Sequence, residues 1–174
     1  QRLGIRMLDR ELIDELWKND PEMQQLAQQY DERPVNRILS RKINEFDNSI
    51  PHNVAQRQFD MIRQIADSGE SAIFVGRCAD YALAGRPGLL RIFCRADLGL
   101  RIRRIEQRHN LSKKKAALLV AKTDRHRRVY YHHHTGQFWG HSSCYDLTVN
   151  TGVLGVEKTA ETMEAFIRTF WEQD

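Results

Sequence analysis

The sequence has 174 residues, 41% hydrophobic and 29% charged, which is the composition of a globular chain with a sizeable core and excludes a disordered one. No run approaches the roughly 20 apolar residues of a membrane helix, no secretory-leader pattern opens the chain, and no repeat or low-complexity tract interrupts it. Three widely spaced cysteines (Cys78, Cys94, Cys144) fit neither a disulfide framework nor a structural zinc site, so a single domain over 1–174 in a reducing cytoplasm is expected.

The net charge is +4, but it is unevenly spread. Residues 101–128 hold eleven Lys or Arg against only Glu106 and Asp124, giving +9, so the rest of the chain carries −5. A concentrated basic segment on an otherwise acidic chain implies an anionic partner, either nucleotide phosphates or a nucleic-acid backbone. The alternative is a solvated basic helix face.

In chain order, Gly4 to Leu8 is a short apolar run ending at Asp9, and a helical stretch follows with Leu12, Ile13, Leu16 and Trp17 on one face. Residues 19–51 are polar and irregular, with helical content around Pro21 to Gln29 and Val35 to Phe46. Val54, Gln58, Ile62 and Ile65 form one stripe and predict a helix over about 53–66. Ser71 to Gly76 is apolar on both faces and predicts a fully buried strand. After the Gly85–Gly88 turn, Leu89 to Cys94 predicts another strand. Asp97 is placed to cap the next helix, whose core face is Leu98, Ile102 and Ile105. Ser112 is placed to cap a further helix reaching about Val129 or Tyr131. Tyr145 to Asn150 is a strand, and Val156, Ala160, Met163, Ile167 and Phe170 keep helical spacing beyond it. Strands interleaved with helices predict an α/β domain with a mostly parallel sheet.

In open parallel sheets, ligands bind beyond the carboxyl ends of the strands. The residues there are Asp9, Gly76–Arg77 and Asn150–Thr151. The Arg77 guanidinium can fork onto a phosphate or carboxylate, or it can pair with Asp80 or Asp9. Asp124, Arg127 and Tyr131 share a helical face, with Arg128 beside them, and such cations can close over a transferring phosphoryl group. The plainer reading of Asp124 and Arg127 is an exposed i,i+3 ion pair. His132, His133 and His134 cannot all face one metal in regular structure, so no metal ligands are assigned. Cys78 beside Arg77 is read as a small packed residue rather than a nucleophile. A Gly-x-x-x-x-Gly-Lys-Ser/Thr phosphate loop occurs nowhere in these residues, and Gly152–Gly155 does not substitute for one.

Four segments together resemble the cytidylate kinase-like proteins, nucleoside monophosphate kinases of the P-loop superfamily. They are Leu3 to Ile13, Val75 to Tyr81 (Val-Gly-Arg-Cys-Ala-Asp-Tyr), Leu90 to Ala96 with its Arg-Ile-Arg-Arg continuation, and Asp124-x-x-Arg127 through Trp139 to Thr151. The resemblance covers nearly the whole chain. It implies a three-layer P-loop NTPase-like fold with a helical lid over about 109–141, and a strand, phosphate loop and helix preceding a segment like Leu3 to Ile13. It further implies phosphoryl transfer from ATP, with magnesium, to a nucleoside monophosphate. In that scheme Asp124, Arg127 and Arg104 act on the phosphates, Asp9, Arg10, Arg77 and Asp80 hold the acceptor, and Asn150 and Thr151 border the donor base. Two residues depart from the cytidylate kinase pattern. Cys78 stands where aspartate directly follows the Gly-Arg pair, and Arg10 stands where a small hydroxyl residue is usual. Both touch acceptor recognition.

Two other functions stay open on the sequence. One is a kinase-like nucleotide-binding or regulatory module without catalysis. The other is a nucleic-acid-binding protein using residues 101–128, although few aromatics interleave those cations, which counts against single-strand stacking.

Overall fold

The computed structural model describes residues 2–9, 17–19, 21, 24–25 and 49–172, with side chains described from Val54 onward in the first long helix. The helical readings over 10–16, 26–29 and 35–46, and Arg10, lie outside the described residues. The elements are β1 (Arg6–Leu8), α1 (Ser49–Asp67), β2 (Ala72–Phe74), α2 (Ala79–Ala82), β3 (Ile92–Arg95), α3 (Leu98–His109), α4 (Lys113–Thr135), β4 (Leu147–Asn150) and α5 (Gly155–Trp171). Chain packing divides them into two compact units, 1–86 with 129–137, and 87–128 with 138–174. Helix α4 contributes residues to both.

In the first unit β1 pairs parallel with β2, in the register Arg6↔Ala72, Met7↔Ile73, Leu8↔Phe74. The N–H of Val75 bonds to the carbonyl of Leu8 and carries the ladder one step past β2. The stripe expected on α1 is real: Val54, Gln58 and Ile62 are buried, together with Ala55 and Phe59. Leu8, Trp17, Ala79, Ala82, Leu83, Tyr130 and Tyr131 complete this core. Helix α1 packs on β2 and on α2, and Nε of Arg63 caps the carbonyl of Ala82. The expectation of a strand buried on both faces needs correction. Ile73 is 38% and Val75 41% exposed, because among the described residues β2 has a single strand neighbour and one sheet face stays open.

In the second unit β3 pairs parallel with β4, in the register Ile92↔Leu147 to Arg95↔Asn150. The strands are therefore parallel as expected, but the described ones form two separate two-stranded sheets. Helix α3 ends on Asn110, a left-handed residue whose N–H bonds to Glu106. Asp97 occupies the position before α3, yet its side chain makes no capping bond; its backbone carbonyl accepts from Arg101 instead. Ser112 does cap α4 through its hydroxyl, 3.4 Å from the N–H of Lys115. Phe93 packs against Trp139 and Tyr145. Gly140 (φ +79°) must be glycine there, because a Cβ would stand 2.9 Å from Cζ of Phe93.

Pairing of β3 with β4 starts at Arg91 and Asp146. The Arg91 guanidinium binds both carboxylate oxygens of Asp146 at 3.1 and 2.6 Å, and its own N–H adds a bond of 2.7 Å. These hydrogen bonds from Arg91 hold the Asp146 carboxyl below the usual carboxylate range, against an opposing effect of burial. A folded-state pKa below the unfolded one means stability that is complete above about pH 4 and is lost as the pH falls through the folded value. Asp146→Ala is expected to cost about 1 kcal/mol at neutral pH, since the pair is a third exposed and partly screened. In urea unfolding, the gap between wild type and variant should close in strong acid. A gap that stays constant from neutral pH to strong acid would contradict this.

Candidate functional site

In the first unit the chain leaves β2 through three consecutive residues of positive φ, Gly76 (+76°), Arg77 (+57°) and Cys78 (+52°). Glycine adopts this region without cost, but Arg77 and Cys78 give up about 1–2 kcal/mol each. Such strain persists only where the surroundings fix it, and it gathers at ligand sites. Here it bends the chain directly into α2, whose first backbone bonds run from Ala79 to Gly76 and from Ala82 to Cys78.

The turn drives Arg77 inward until it is 5% exposed. Its Nη2 lies 3.3 Å from Oδ1 of Asp9, the residue after β1. Parallel pairing of β1 and β2 brings these two strand ends to one edge, so the sheet itself creates the pair. Asp9 remains 49% exposed, so this ion pair joins a buried cation to a solvent-facing anion. Three residues beyond Arg77, Oδ2 of Asp80 accepts a 2.6 Å hydrogen bond from the hydroxyl of Tyr131, near the end of α4. Asp9 with Arg77, and Asp80 with Tyr131, are thus two polar pairs of this unit. Cys78 is buried and serves as the small packed residue the sequence indicated.

The second unit has its own polar pairs. Asp124 is 17% exposed and binds Nη2 of Arg101 on α3 at 2.6 Å. Its partner on the neighbouring helix makes this more than an exposed i,i+3 pair. Arg104 donates to the hydroxyl of Thr151 at 3.0 Å and to its carbonyl at 3.2 Å. The same threonine donates its N–H and its hydroxyl to the carbonyl of Arg95. Oδ1 of Asn150 accepts from the N–H of Gly152, which closes a tight turn after β4. Arg104 and Thr151 are therefore already committed to each other. Arg127 is exposed on α4, as are Lys113, Lys114 and Lys115 at its start.

Of the residues singled out in the sequence, the structure joins Asp9 with Arg77, and Arg104 with Thr151 and Asn150's turn. Asp80 and Asp124 each have a partner that the sequence did not assign. Sequence reasoning put Tyr131 on the face of Asp124 and Arg127 but missed its bond to Asp80. It also missed Gln137, whose side-chain amide lies 3.1 Å from the Tyr131 hydroxyl. No local pattern signals either contact, and the left-handed Arg77 and Cys78 are equally invisible because neither residue type favours that region. His134 packs on the rings of Phe59 and Tyr130.

Residues 1–153 match the family model of the cytidylate kinase-like family. A crystal structure of an uncharacterized protein from Eubacterium ventriosum is similar over 97% of this chain and 86% of that one, at 26% identity and a TM-score of 0.73. Among proteins with curated descriptions, none matches.

The backbone at Cys78 makes a direct prediction. Cys78→Val, a β-branched residue forced into the left-handed region, is expected to lose about 2 kcal/mol or more in urea unfolding. Cys78→Gly should stay within about 1 kcal/mol of wild type, because relief of strain offsets the lost thiol packing. Equal stability of the two variants would contradict a constrained turn.

Proposed function

Because the chain belongs to the cytidylate kinase-like family, we propose that it transfers the terminal phosphoryl group of ATP, with magnesium, to a nucleoside monophosphate, a cytidylate-like acceptor being favoured. The observation that carries this reading is the buried Arg77 held against Asp9 at the carboxyl edge of β1 and β2. A guanidinium fixed there, at a backbone cost, suits capture of a small anion better than it suits stability, since burying a charge is expensive even when it is paired.

In the reaction an oxygen of the acceptor phosphate attacks the γ-phosphorus, the bond to the bridging oxygen breaks, and ADP leaves. The acceptor itself is the nucleophile, so the protein's work is positioning and charge compensation. Arg77 holds the acceptor, with Asp9 orienting the guanidinium and Asp80 contacting the nucleoside. Arg10 belongs to the same acceptor edge by resemblance. Arg127, exposed on α4, supplies positive charge to the transferring group, and the Arg101–Asp124 pair stiffens the helix that carries it. Arg104 keeps the turn at Asn150 and Thr151 in shape for the donor base, and its guanidinium can turn to a phosphate by giving up Thr151.

Magnesium would come with ATP and would supply charge compensation on the phosphates; Asp9, half-exposed at the strand edge, is the carboxylate that would serve its water shell. Among the described residues no helix is long and apolar enough to cross a membrane, and the reading requires only nucleotides as partners.

The test is an assay of the full chain with ATP, magnesium and each nucleoside monophosphate. ADP formation is expected with at least one acceptor. Arg127→Ala should lower kcat about 100-fold or more, with folding of the variant checked by circular dichroism. Saturable nucleotide binding without turnover would assign a non-catalytic module instead. Oligonucleotide binding with steep salt dependence and no turnover would assign the basic 101–128 segment to nucleic acid.

A further inference from the structure

The Tyr131–Asp80 contact admits a role that no sequence pattern announces. Tyr131 is 5% exposed, and a buried hydroxyl needs a partner. It takes a carboxylate at 2.6 Å, within the short range of charge-assisted O–H···O bonds. The same hydroxyl has a second, longer acceptor in Oε1 of Gln137 at 3.1 Å, a residue whose backbone N–H bonds to the hydroxyl of Thr135. With one hydrogen to give, the phenol favours the charged carboxylate at 2.6 Å. Thr135 in turn donates its hydroxyl to the carbonyl of Tyr131. Gly136, at φ +70°, closes the end of α4 with its N–H on His132. These bonds fix the end of the helix that carries the phenol.

A bond serving only to fasten α4 would leave the carboxylate buried and fully used. Asp80 is only half-buried, and among the described residues its Oδ1 accepts no hydrogen bond. It also stands three residues after the buried Arg77, on the short α2 that the left-handed turn creates. We propose that Tyr131 is a positioning residue for the acceptor: it fixes Oδ2 of Asp80 so that Oδ1 is presented to a hydroxyl or amine hydrogen of the bound nucleoside monophosphate. This rests on the assignment of Asp80 to the acceptor site in the preceding subsection. A carboxylate without that anchor would sample several rotamers, and binding would have to select one of them. The cost falls on acceptor affinity and not on ATP or on the chemical step.

The experiment is steady-state kinetics of the full chain with its best monophosphate acceptor, for wild type, Tyr131→Phe, Asp80→Ala and the double variant, each checked by circular dichroism and melting. Tyr131→Phe keeps the buried ring and removes only the hydroxyl. It is expected to raise the acceptor KM roughly three- to tenfold, the worth of one hydrogen bond to a charge, while kcat and the ATP KM stay within twofold. In the Asp80→Ala background the same change should add nothing. An unchanged acceptor KM, a parallel rise in both KM values, or additivity with Asp80→Ala would overturn the positioning role alone. A wild type that neither phosphorylates nor binds any monophosphate would remove the acceptor site itself, and this role with it. Gln137→Ala, at an exposed position, carries the test should Tyr131→Phe fail to fold. It removes the competing acceptor and leaves the hydroxyl to Asp80 alone, so the acceptor KM should fall by up to about twofold, and an unchanged or higher value overturns the proposal.

Discussion

The left-handed run Gly76–Arg77–Cys78 is the constraint on which the first unit depends. Without it the chain would leave β2 in an extended direction, and Arg77 would reach solvent. With it, the guanidinium turns inward onto Asp9, Cys78 packs, and α2 begins at once with Asp80 in its first turn. Two non-glycine residues in this region cost a few kcal/mol, a substantial part of the net stability of a small unit. The buried faces of α1, α2 and the end of α4 offset that cost. Phe59 and Ile62, both at most 2% exposed, sit in the core beside the buried Cys78 and Ala79.

The second unit is organised by backbone pairing and by arginines that are not free. Arg91 sets the register of β3 on β4 through Asp146, Arg104 fastens the turn at Thr151, and Arg101 takes the carboxylate of Asp124. Two of the eleven cations in residues 101–128, Arg101 and Arg104, therefore have structural work. The other nine are exposed, including Arg127 and the three lysines that open α4. No acid stands in that helix's first turn, so its lysines add to the positive end of the helix dipole rather than compensating it. Such a surface attracts phosphates.

Much of the fold was legible in the sequence because periodicity is a local property. The stripe Val54–Gln58–Ile62 identified α1 and its buried face, Ser112 marked the start of α4, and the alternation of strands with helices gave parallel pairing. The misreadings have local causes too. Ser71 to Gly76 is apolar throughout, which a buried strand requires but does not guarantee, and Ile73 ends on an open face. Asp97 stands at the right position for a cap, yet capping depends on a side-chain rotamer that sequence cannot specify. Asp9 and Arg77 were legible as strand-end residues, and their pairing follows once β1 lies beside β2.

The sequence by itself determined which residue types stand at the strand ends, where the helices run, and where positive charge accumulates, because each of these is fixed by neighbours within a few positions. Only the tertiary structure decided which carboxylate each cation or hydroxyl serves. Asp124 finds Arg101 across 23 positions and Asp80 finds Tyr131 across 51. Partner choice at such separations follows from how helices pack and from how a strained turn aims the chain, and a one-dimensional pattern holds neither. The left-handed backbone of Arg77 and Cys78 belongs with these, since it runs against local preference and exists only because the surrounding core makes the alternative worse.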